Sequence, residues 1–577
     1  MKKLIMLVLI LVSCTSKKEN PNADFTTVFE KTNGTETATY EQTIQYYIDL
    51  EQAYPQISME AIGQTDSGMP LHIITLNPDG NFGFQSIRKD KRILLINNGI
   101  HPGESDGIDA VMMLFRDIVQ GKIETPEKTV LVTIPIYNVG GSLNRNSTTR
   151  TNQNGPKEYG FRGNARNYDL NRDFIKADTK NSRTFAEIFH LVKPDVFIDN
   201  HVSNGADYQY TLTHLFTQHN KLGGELGNYL HTEMMPGLEA SLSQKNWDIT
   251  PYVNVFNRVP EKGFSQFMDY PRYSTGYTTL FNTLGMMVET HMLKPYKQRV
   301  EGTYELMRSM IKIVDEDSEK IKALRQNAKA SNQKLKSYPL DWTIDTTRSS
   351  TIDFKGYDGS MIPSEITGAQ RLKFDRNKPF IKEVNYRNHF VPKIEVSVPQ
   401  AYIIPKGWHN VVELLELNNV EMTRFENDTT LTIEAYRIKN YKTRTNPYEG
   451  HYPHYNTQIE TKIMEMTFKE GDLLIKTGQS AFRYLLETLE PQAPDSFFNW
   501  NFFDTILQQK EGFSPYVWED KAKVLMRADP KMHINFNLKK TYDKEFAENW
   551  YAQLDYIHKH SGYYEKAHLQ YPIYRIP

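Results

Sequence analysis

Residues 92–104 read Arg-Ile-Leu-Leu-Ile-Asn-Asn-Gly-Ile-His-Pro-Gly-Glu, an apolar run that leads directly into a turn rich in glycine and polar residues. The run has the length of a buried β-strand, and the apolar face along residues 108–120 predicts a helix after the turn. The turn places an imidazole and a carboxylate, His101 and Glu104, three residues apart at the end of this strand. Two such groups can bind the same divalent ion. The glycines, the proline and the strand-end position make this pair more specific than an isolated His-x-x-Glu.

Strands and helices continue to alternate from about residue 40 to about residue 330. Apolar runs predict further strands at residues 71–76, 129–136 and 195–200, and helical patterns fall at residues 184–192 and 295–334. This alternation predicts an α/β fold, a sheet with helices on both faces.

The pattern changes after about residue 340, where short segments alternate apolar and polar residues between Gly, Asn and Pro. These segments predict the strands of a β-sandwich-like module at residues 393–398, 411–417, 429–436 and 463–468. The last hundred residues predict a mixed region of loops and aromatic helices, at residues 480–489, 497–509 and 543–560. His451 and His454 could form a second metal site, but the tyrosines around them favour an ordinary loop.

Composition excludes several classes of protein. The 577-residue chain has 68 Lys and Arg against 70 Asp and Glu, a net charge of −2, which argues against a dedicated nucleic-acid binder. Aromatic residues form 12% of the sequence, which is too many for a disordered chain, and the length allows roughly two to four domains. The single cysteine, Cys14, leaves the folded part without a disulfide framework, a cysteine-based zinc site or a cysteine nucleophile.

The N-terminus has the pattern of a secretion signal. Lys2 and Lys3 precede the apolar residues 4–12, and Leu11-Val12-Ser13-Cys14 follows. This ending resembles the bacterial lipobox, which implies that Cys14 is lipidated and begins the mature protein. An ordinary signal peptide with an incidental cysteine is the alternative. The apolar run is about half the length of a membrane span, so we expect a soluble body on a lipid tether.

Residues 167–173, Asn-Tyr-Asp-Leu-Asn-Arg-Asp, place a guanidinium and an amide side by side at Arg172 and Asn171. This pair suits the binding of a carboxylate. Taken alone, the stretch fits a surface turn with an ordinary arginine better.

His201 follows the predicted strand of residues 195–200 and lies 97 residues after Glu104. A histidine at a strand end is more often a structural residue, but with His101 and Glu104 it would complete the ligand set of an open catalytic zinc site. Glu289 ends a further apolar run, where a charge is unfavourable unless the side chain has a partner or a function. An ordinary surface glutamate is the alternative there.

Taken in order, these motifs resemble the zinc carboxypeptidase family typified by carboxypeptidase A, over about residues 40–330. The resemblance implies a mixed sheet between helices and one Zn²⁺ ion per chain. It implies that His101, Glu104 and His201 bind this ion. It also implies that Asp169 supports His101.

The resemblance further assigns the substrate contacts. Asn171 and Arg172 would hold the free carboxylate at the end of a peptide substrate. Arg150 would polarise the scissile carbonyl, and Glu289 would activate the zinc-bound water. The mobile substrate-binding tyrosine of the family falls best on Tyr273.

Some of these assignments leave alternatives open. Arg145 and Arg162 could replace Arg150, because its neighbours, Thr-Arg-Thr-Asn-Gln-Asn-Gly, differ from those usual in the family. Tyr270 and Tyr277 could replace Tyr273. Glu289 is followed by Thr-His rather than the more usual Leu-Arg, and the residues after 340 have no counterpart in the minimal enzyme.

The sequence therefore predicts five segments: a lipoprotein signal peptide (1–14), a flexible tether (15–38), a zinc carboxypeptidase domain (39–335), a β-rich accessory module (340–475) and a mixed C-terminal region (476–577). The expected function is a zinc-dependent metallocarboxypeptidase, lipid-anchored in the bacterial envelope, acting on peptides with a free C-terminal carboxylate and not on nucleic acid. The alternatives are an amide hydrolase of peptidoglycan stem peptides and a non-catalytic binding lipoprotein.

Overall fold

The computed structural model describes residues 24–577, which form four β-sheets with surrounding helices. The strands are β1 (Ile57–Gln64), β2 (Pro70–Leu76), β3 (Arg92–Asn97), β4 (Thr129–Ile134), β5 (Val196–Ser203), β6 (Leu212–Phe216), β7 (Ile249–Pro251), β8 (Phe264–Ser265), β9 (Leu284–His291), β10 (Ser337–Ile344), β11 (Ser350–Pro363), β12 (Gln370–Arg387), β13 (Phe390–Ser397), β14 (Ala401–Ile404), β15 (Thr423–Arg424), β16 (Thr429–Thr443), β17 (His454–Phe468), β18 (Leu473–Lys476) and β19 (Gln570–Ile576).

The α-helices are α1 (Val28–Lys31), α2 (Tyr40–Ala53), α3 (Phe84–Asp90), α4 (Asp106–Val119), α5 (Val139–Leu143), α6 (Lys180–Val192), α7 (His219–Leu222), α8 (Gly224–Tyr229), α9 (Met235–Ser243), α10 (Ser274–Thr279), α11 (Tyr296–Glu316), α12 (Ser318–Asn332), α13 (His409–Leu417), α14 (Phe482–Leu489), α15 (Pro515–Ala528), α16 (Pro530–Tyr542), α17 (Lys544–Glu548) and α18 (Trp550–Lys559). A π-helical turn, Leu230–Met234, joins α8 to α9.

The largest sheet has eight strands in the order β1-β2-β4-β3-β5-β9-β6-β7. β3 lies in its interior between the parallel strands β4 and β5, and β5 is also parallel to β9. β1, β2 and β6 pair with antiparallel neighbours, so the sheet is mixed. Every residue of β3, β4 and β5 is buried, which requires cover on both faces of the sheet. The predicted α/β fold is confirmed.

Two elements of this region differ from their predicted bounds. β5 continues to Ser203, so that His201 lies within the strand rather than after it. The predicted helix of residues 295–334 is two helices, α11 and α12, which meet at Asp317.

Residues 24–38 pack on the α/β region, where the sequence predicts a flexible tether. Thr27 and Glu30 form a capping box at the start of α1, each side chain accepting a hydrogen bond from the other residue's backbone N–H. Phe29 is buried against α11, and Glu30 forms a 2.6 Å ion pair with Arg116 of α4. Burial of the aromatic ring, together with this ion pair, fixes the segment. The packed body therefore includes residues that were expected to be mobile.

The rest of the N-terminal prediction concerns residues that are not described. Cys14, the signal sequence and the first part of the predicted tether lie outside residues 24–577. Within residues 24–577, no helix combines the length and the apolar character needed to cross a membrane.

The predicted β-rich region contains the remaining three sheets. β11 and β12 form a long antiparallel hairpin that also pairs with β8, and β10 pairs with β13. The third sheet has the order β15-β18-β14-β19-β16-β17. Its strand β19 comes from the end of the chain and pairs with β14 and β16. The predicted boundary at residue 476 therefore does not separate two structural units, because this sheet needs strands from both sides of it.

Two predictions of secondary structure after residue 340 are wrong. Residues 411–417 were expected to form a strand but belong to α13, where Val411, Val412, Leu414 and Leu415 are buried at a helical spacing. Residues 497–509 were expected to form a helix, but only the short 3₁₀ turn Asp504–Leu507 is helical. The aromatic residues there are nevertheless buried in the core, so they pack without a regular helix.

Candidate active site

The three predicted metal ligands meet where the central strands of the large sheet end. His101 and Glu104 lie in the turn between β3 and α4, and His201 lies on the neighbouring parallel strand β5. All three side chains are buried, and one ligand atom from each lies within 4.8 Å of the other two. The predicted triad is thus assembled at one point.

A carboxylate fixes each of the two imidazoles. Asp169 Oδ1 is 2.9 Å from His101 Nε2, and Asp199 Oδ2 is 2.8 Å from His201 Nε2. The other ring nitrogens turn towards Glu104, with His101 Nδ1 3.3 Å from Oε1 and His201 Nδ1 3.2 Å from Oε2. Carboxylates in this position orient ligand histidines and make them more basic.

These residues fit a zinc ion. His101 Nδ1 is buried and has no hydrogen-bond partner within residues 24–577, an arrangement that is unfavourable unless another group occupies that direction. Two neutral imidazole nitrogens and one carboxylate are the donor set of catalytic zinc sites, which keep a further position open. The site therefore suits one Zn²⁺ ion per chain.

Asp199 is a functional residue that the sequence analysis missed. It accepts hydrogen bonds from Asn97 Nδ2 at 3.0 Å and from Ser274 Oγ at 2.5 Å while it holds His201. The sequence does contain a pattern that indicates Asp199, because Asp199 and His201 are two residues apart on one strand and so share a face of the sheet. Asp199 carries out for His201 the role that was predicted for Asp169 and His101.

Glu104 is held by an arginine and a backbone amide. Arg150 Nη1 donates to Oε1 at 2.8 Å, and Val202 N donates to Oε2 at 2.9 Å. Burial alone would raise the pKa of Glu104, but the charges of His101 and Arg150 outweigh it and hold the pKa well below the usual range. Gly103 makes the approach possible, since a Cβ at this residue would lie 2.5 Å from Arg150 Cδ.

Glu289 lies on β9 directly beside His201, its register partner on β5. Its side chain is partly exposed, and it faces the cavity that contains the triad. Burial raises the pKa of Glu289 to about 7, and the nearby charge of His201 opposes that rise. A carboxyl group with its pKa close to neutral pH is suited to accept and return a proton.

The cavity has a volume of about 670 Å³ and contains every predicted catalytic and substrate-binding side chain. Its wall includes the triad and the side chains of Glu289, Arg150, Arg162, Asn171, Arg172 and Tyr273.

The structure distinguishes between the alternative arginines and tyrosines that the sequence left open. Arg145 donates to the carbonyl of Glu158 and is not part of the wall, whereas Arg162 lines the cavity together with Arg150. Tyr277 is buried in the core and donates to Asn418, and Tyr270 donates to Asp341. Of the three tyrosines, only Tyr273 borders the cavity.

Arg172 and Tyr273 lie next to each other in the wall of the cavity, at what we call its arginine end. The guanidinium of Arg172 lies 4.6 Å from the centre of the Tyr273 ring. Burial disfavours the charged form of Arg172, but the carboxylate of Asp169 outweighs it and raises the pKa of the guanidinium. Asn171 is buried beside it, and its side-chain oxygen accepts from Ser274 N at 3.2 Å.

The C-terminal part of the chain supports this end. Glu449 Oε2 accepts a hydrogen bond from the backbone N–H of Asp169 at 2.8 Å. Asp495 accepts from the backbone N–H of Arg272 at 2.8 Å and pairs with its guanidinium at 2.9 Å, next to Tyr273. The sequence carried no signal for either contact, because only the fold brings together residues more than 200 positions apart.

Comparison with known proteins finds a family model that matches part of the α/β region. Residues 43–195 match the family model described as zinc carboxypeptidase, Peptidase_M14. Carboxypeptidase 2 of Trichophyton rubrum is 21% identical over 440 residues, covering 70% of this chain and 72% of that protein. Carboxypeptidase 2 of Trichophyton tonsurans is 21% identical over 437 residues with the same two coverages, 70% and 72%.

Solved structures with some similarity are also carboxypeptidases. A metallo-carboxypeptidase from Burkholderia cenocepacia has a TM-score of 0.36 and 17% identity, covering 49% of this chain and 70% of that one. A metallo-carboxypeptidase from Pseudomonas aeruginosa has a TM-score of 0.36 and 13% identity, covering 48% and 70%.

The family match covers the turn with His101 and Glu104, and the fold adds His201 to that pair at the edge of the same sheet. The α/β region of this chain is therefore similar to the zinc carboxypeptidase family over residues 43–195, and its buried His-Glu-His group provides a metal site of the kind that such an enzyme requires.

Proposed function

We propose that this chain removes C-terminal residues from peptides in a bacterial envelope, to which lipid on Cys14 attaches it. The observation that carries the proposal is that one cavity contains a metal triad, a carboxylate with a pKa near 7 and a guanidinium suited to a free carboxylate. An endopeptidase would have no use for the last of these groups.

Hydrolysis of an amide requires a nucleophilic water, a stabilised oxyanion and a protonated leaving amine. When bound, Zn²⁺ supplies a Lewis acid and lowers the pKa of a coordinated water to about 7. Glu289 takes the proton of the attacking water and later delivers it to the leaving nitrogen. Such proton transfer contributes roughly 10²–10⁴-fold in rate.

Two arginines line the cavity near the carbonyl that is attacked. Arg150 binds the ligand Glu104 and also faces the cavity, and Arg162 lies 3.5 Å from the same carboxylate. A fixed positive charge stabilises the oxyanion more than it stabilises the neutral carbonyl, which accelerates the reaction.

Arg172 and Asn171 bind the terminal carboxylate of the substrate, and Tyr273 closes over it. An internal peptide bond would bring no free carboxylate to the partly buried guanidinium of Arg172. This loss discriminates against internal bonds.

The cavity also indicates the preferred C-terminal side chain. Its uncharged lining includes apolar and aromatic residues, namely Leu215, Tyr252, Phe256, Phe267, Met287 and Met292, alongside a similar number of hydroxyl and amide residues. The only carboxylates in the lining are Glu104 and Glu289. No carboxylate is thus left over to pair with a basic side chain, and we propose a preference for neutral, apolar C-terminal residues.

A second candidate is an amide hydrolase that acts on peptidoglycan stem peptides with the same site. The lipobox-like sequence that ends at Cys14 favours it, since a lipid anchor would hold the enzyme near the cell wall. A non-catalytic binding lipoprotein has no comparable support, because the triad and Glu289 are all retained in one cavity.

Purified zinc-loaded protein should be assayed on N-blocked dipeptides, on the same dipeptides with an amidated C-terminus, and on muropeptides. We expect cleavage of the free-acid dipeptides that end in Phe or Leu, slower cleavage of those that end in Lys or Asp, and none of the amides. Cleavage of muropeptides alone would favour the second candidate. Cleavage of the amides at the same rate would contradict the exopeptidase mechanism.

The anchor needs a separate test. Radiolabelled palmitate should be incorporated into the full chain expressed in a bacterium, and the variant Cys14→Ser should lose both the label and the membrane association. Release of unlabelled wild-type protein into the soluble fraction would contradict the anchor and leave the enzymatic proposal intact.

A further inference from the structure

A second cavity, of about 570 Å³, lies between the α/β region and the β-rich region. Three imidazoles contribute to its wall: His219 of α7, His231 of the turn between α8 and α9, and His389 between β12 and β13. The rings of His219 and His231 are 4.0 Å apart and nearly parallel, and the ring of His389 lies 5.2 Å from that of His219. We refer to this cavity as the three-histidine pocket.

The three imidazoles and the guanidinium of the pocket have no hydrogen-bond or ion-pair partners among the described residues. Within residues 24–577, the ring nitrogens of His219, His231 and His389 make no hydrogen bond, and His389 Nδ1 is also buried. The guanidinium of Arg348, which lines the same pocket, forms no ion pair among these residues. Four nitrogen-rich side chains are therefore directed at one cavity without being satisfied by the protein.

The pocket contains donors and no acid. Besides these four side chains, its lining consists of Asn220, Gly223, Gly224, Asn228 and Thr232. The carboxylates whose charges act on the histidines are Glu239 for His231 and Asp345 for His389, and neither lines the pocket. A wall of this composition disfavours a cation and favours an anion.

A metal ion fits the pocket less well than an anion. Within residues 24–577, the only three ligand side chains with atoms within 4.8 Å of one another are His101, Glu104 and His201. Parallel rings such as those of His219 and His231 direct their in-plane lone pairs alongside one another rather than at one point. Arg348 would also repel a cation at close range.

We propose that the three-histidine pocket binds a phosphate-type oxyanion through Arg348 and the imidazoles of His219, His231 and His389. Arginine presents two parallel N–H groups to such an anion, and each imidazole donates one N–H when neutral and two when protonated. The anion bridges the two regions of the chain, because His219 and His231 belong to one and Arg348 and His389 to the other.

Binding takes up protons and is therefore tighter at lower pH. Burial and the neighbouring imidazoles lower the pKa of His219 to about 3, so the free pocket is not protonated there at neutral pH. An anion favours the charged imidazoles and raises their pKa values, and by linkage its affinity increases as the pH falls. Glu239 and Asp345 act in the same direction as the anion, whereas Arg348 opposes protonation.

The test is calorimetric titration of the zinc-loaded full chain with inorganic phosphate at about pH 8, and with sulfate, which stays a dianion, at about pH 6 and about pH 8, on either side of the ordinary pKa of histidine. We expect sulfate binding to be about tenfold tighter at the lower pH. Arg348→Gln and His389→Gln should each weaken it by about tenfold, as expected for the loss of one charge-assisted hydrogen bond. His409→Gln, a change at an exposed histidine elsewhere in the β-rich region, should leave it unchanged.

The catalytic cavity also contains arginines, so Arg172→Gln is included as a second control. Phosphate binding that survives Arg348→Gln and His389→Gln but is lost in Arg172→Gln would assign the anion to the catalytic cavity and overturn the proposal. The proposal would also be overturned if the pocket bound a second Zn²⁺ per chain instead of phosphate, in a manner that depends on His219 and His231.

The source of the phosphate group is resolved by a parallel titration with glycerol 3-phosphate, the soluble form of a phospholipid headgroup. Tighter binding of this ester than of inorganic phosphate supports a lipid as the source, and the reverse supports a free phosphate. If the proposal is correct, Arg348→Gln weakens the binding of both ligands. Peptidase activity need not change, so this inference can fail while the proposed function stands.

Discussion

The two ends of the catalytic cavity are built from different amounts of the chain. At the metal end, the three ligands lie on β5 and in the turn after the adjacent parallel strand β3, and the proposed base, Glu289, lies on the next strand, β9. At the arginine end, which we propose binds the carboxylate of the substrate, Arg172 and Tyr273 lie in segments that Glu449 and Asp495 contact from far along the sequence. The sheet places the metal ligands and Glu289, whereas Arg172 and Tyr273, together with Asp169 beside His101, depend on contacts from distant parts of the chain.

This comparison leads to five experiments, and the largest effect is expected at the metal end. Glu289→Gln removes the proton acceptor and should lower kcat by about 10²–10⁴-fold. Bound zinc, measured by mass spectrometry, should be unchanged, because Glu289 is not a ligand. Glu301→Gln, on the exposed face of α11, is the matched control. A fully active Glu289→Gln enzyme would show that another residue is the base.

Arg172→Gln should mainly affect the arginine end. Loss of a charged hydrogen-bond partner costs about 1.5–3 kcal/mol, so kcat/KM for free-acid dipeptides should fall by about 10–100-fold while zinc content stays constant. Arg371→Gln, at an exposed arginine of β12, serves as the control. If zinc is lost as well, the metal end and the arginine end of the cavity do not act independently.

Asp199→Asn tests the support of the metal end. The amide cannot accept as strongly from His201 Nε2, and such a change typically costs 10–100-fold in metal affinity. The measurement is the zinc dissociation constant in a chelator competition, with the exposed change Asp358→Asn alongside it. Unchanged zinc affinity combined with normal folding would remove Asp199 from the metal site.

The pH profile should show which protonation state is active. Glu289 must be ionised to accept a proton, and burial raises its pKa to about 7. Below the pKa, kcat/KM should therefore fall about tenfold per pH unit. Bound Zn²⁺ adds positive charge, which moves this acidic limb to lower pH. The limb should be absent in Glu289→Gln, and its persistence there would mean that a different group titrates.

The smallest effect is expected from Glu449→Gln. The amide can still accept from Asp169 N, but the charge is lost, so kcat/KM should fall by only about 2–10-fold, mainly through KM. Glu460→Gln, at an exposed position of β17, is the control. A decrease as large as that of Arg172→Gln would mean that the C-terminal region takes part in substrate binding directly.

The sequence predicted the metal end better than the rest for a physical reason. His101, Glu104 and His201 follow or lie in short apolar strands, and neighbouring parallel strands bring their ends to one edge of a sheet. Asp199 could have been predicted as well, since it lies two residues before His201 and on the same face of the strand. The roles proposed for Arg150 and Tyr273 depend on the geometry of loops, which the alternation of strands and helices in the sequence does not predict.

The region after residue 340 was harder to predict for two reasons. α13 was assigned as a strand because its short apolar segment fits a strand as well as a helix. Glu449 and Asp495 carry no local pattern, because their function arises only when distant loops meet. Similarly, β19 completes a sheet whose other strands lie more than 90 residues earlier, which no local pattern indicates.

The packing of the N-terminal segment limits the distance at which an anchored enzyme could work. Because residues 24–38 belong to the folded body, only the stretch from Cys14 to Asp24 can act as a spacer. Its ten peptide steps span at most about 35 Å when fully extended. A lipidated chain would thus operate close to the bilayer surface, and only peptides that diffuse into this thin layer would meet it.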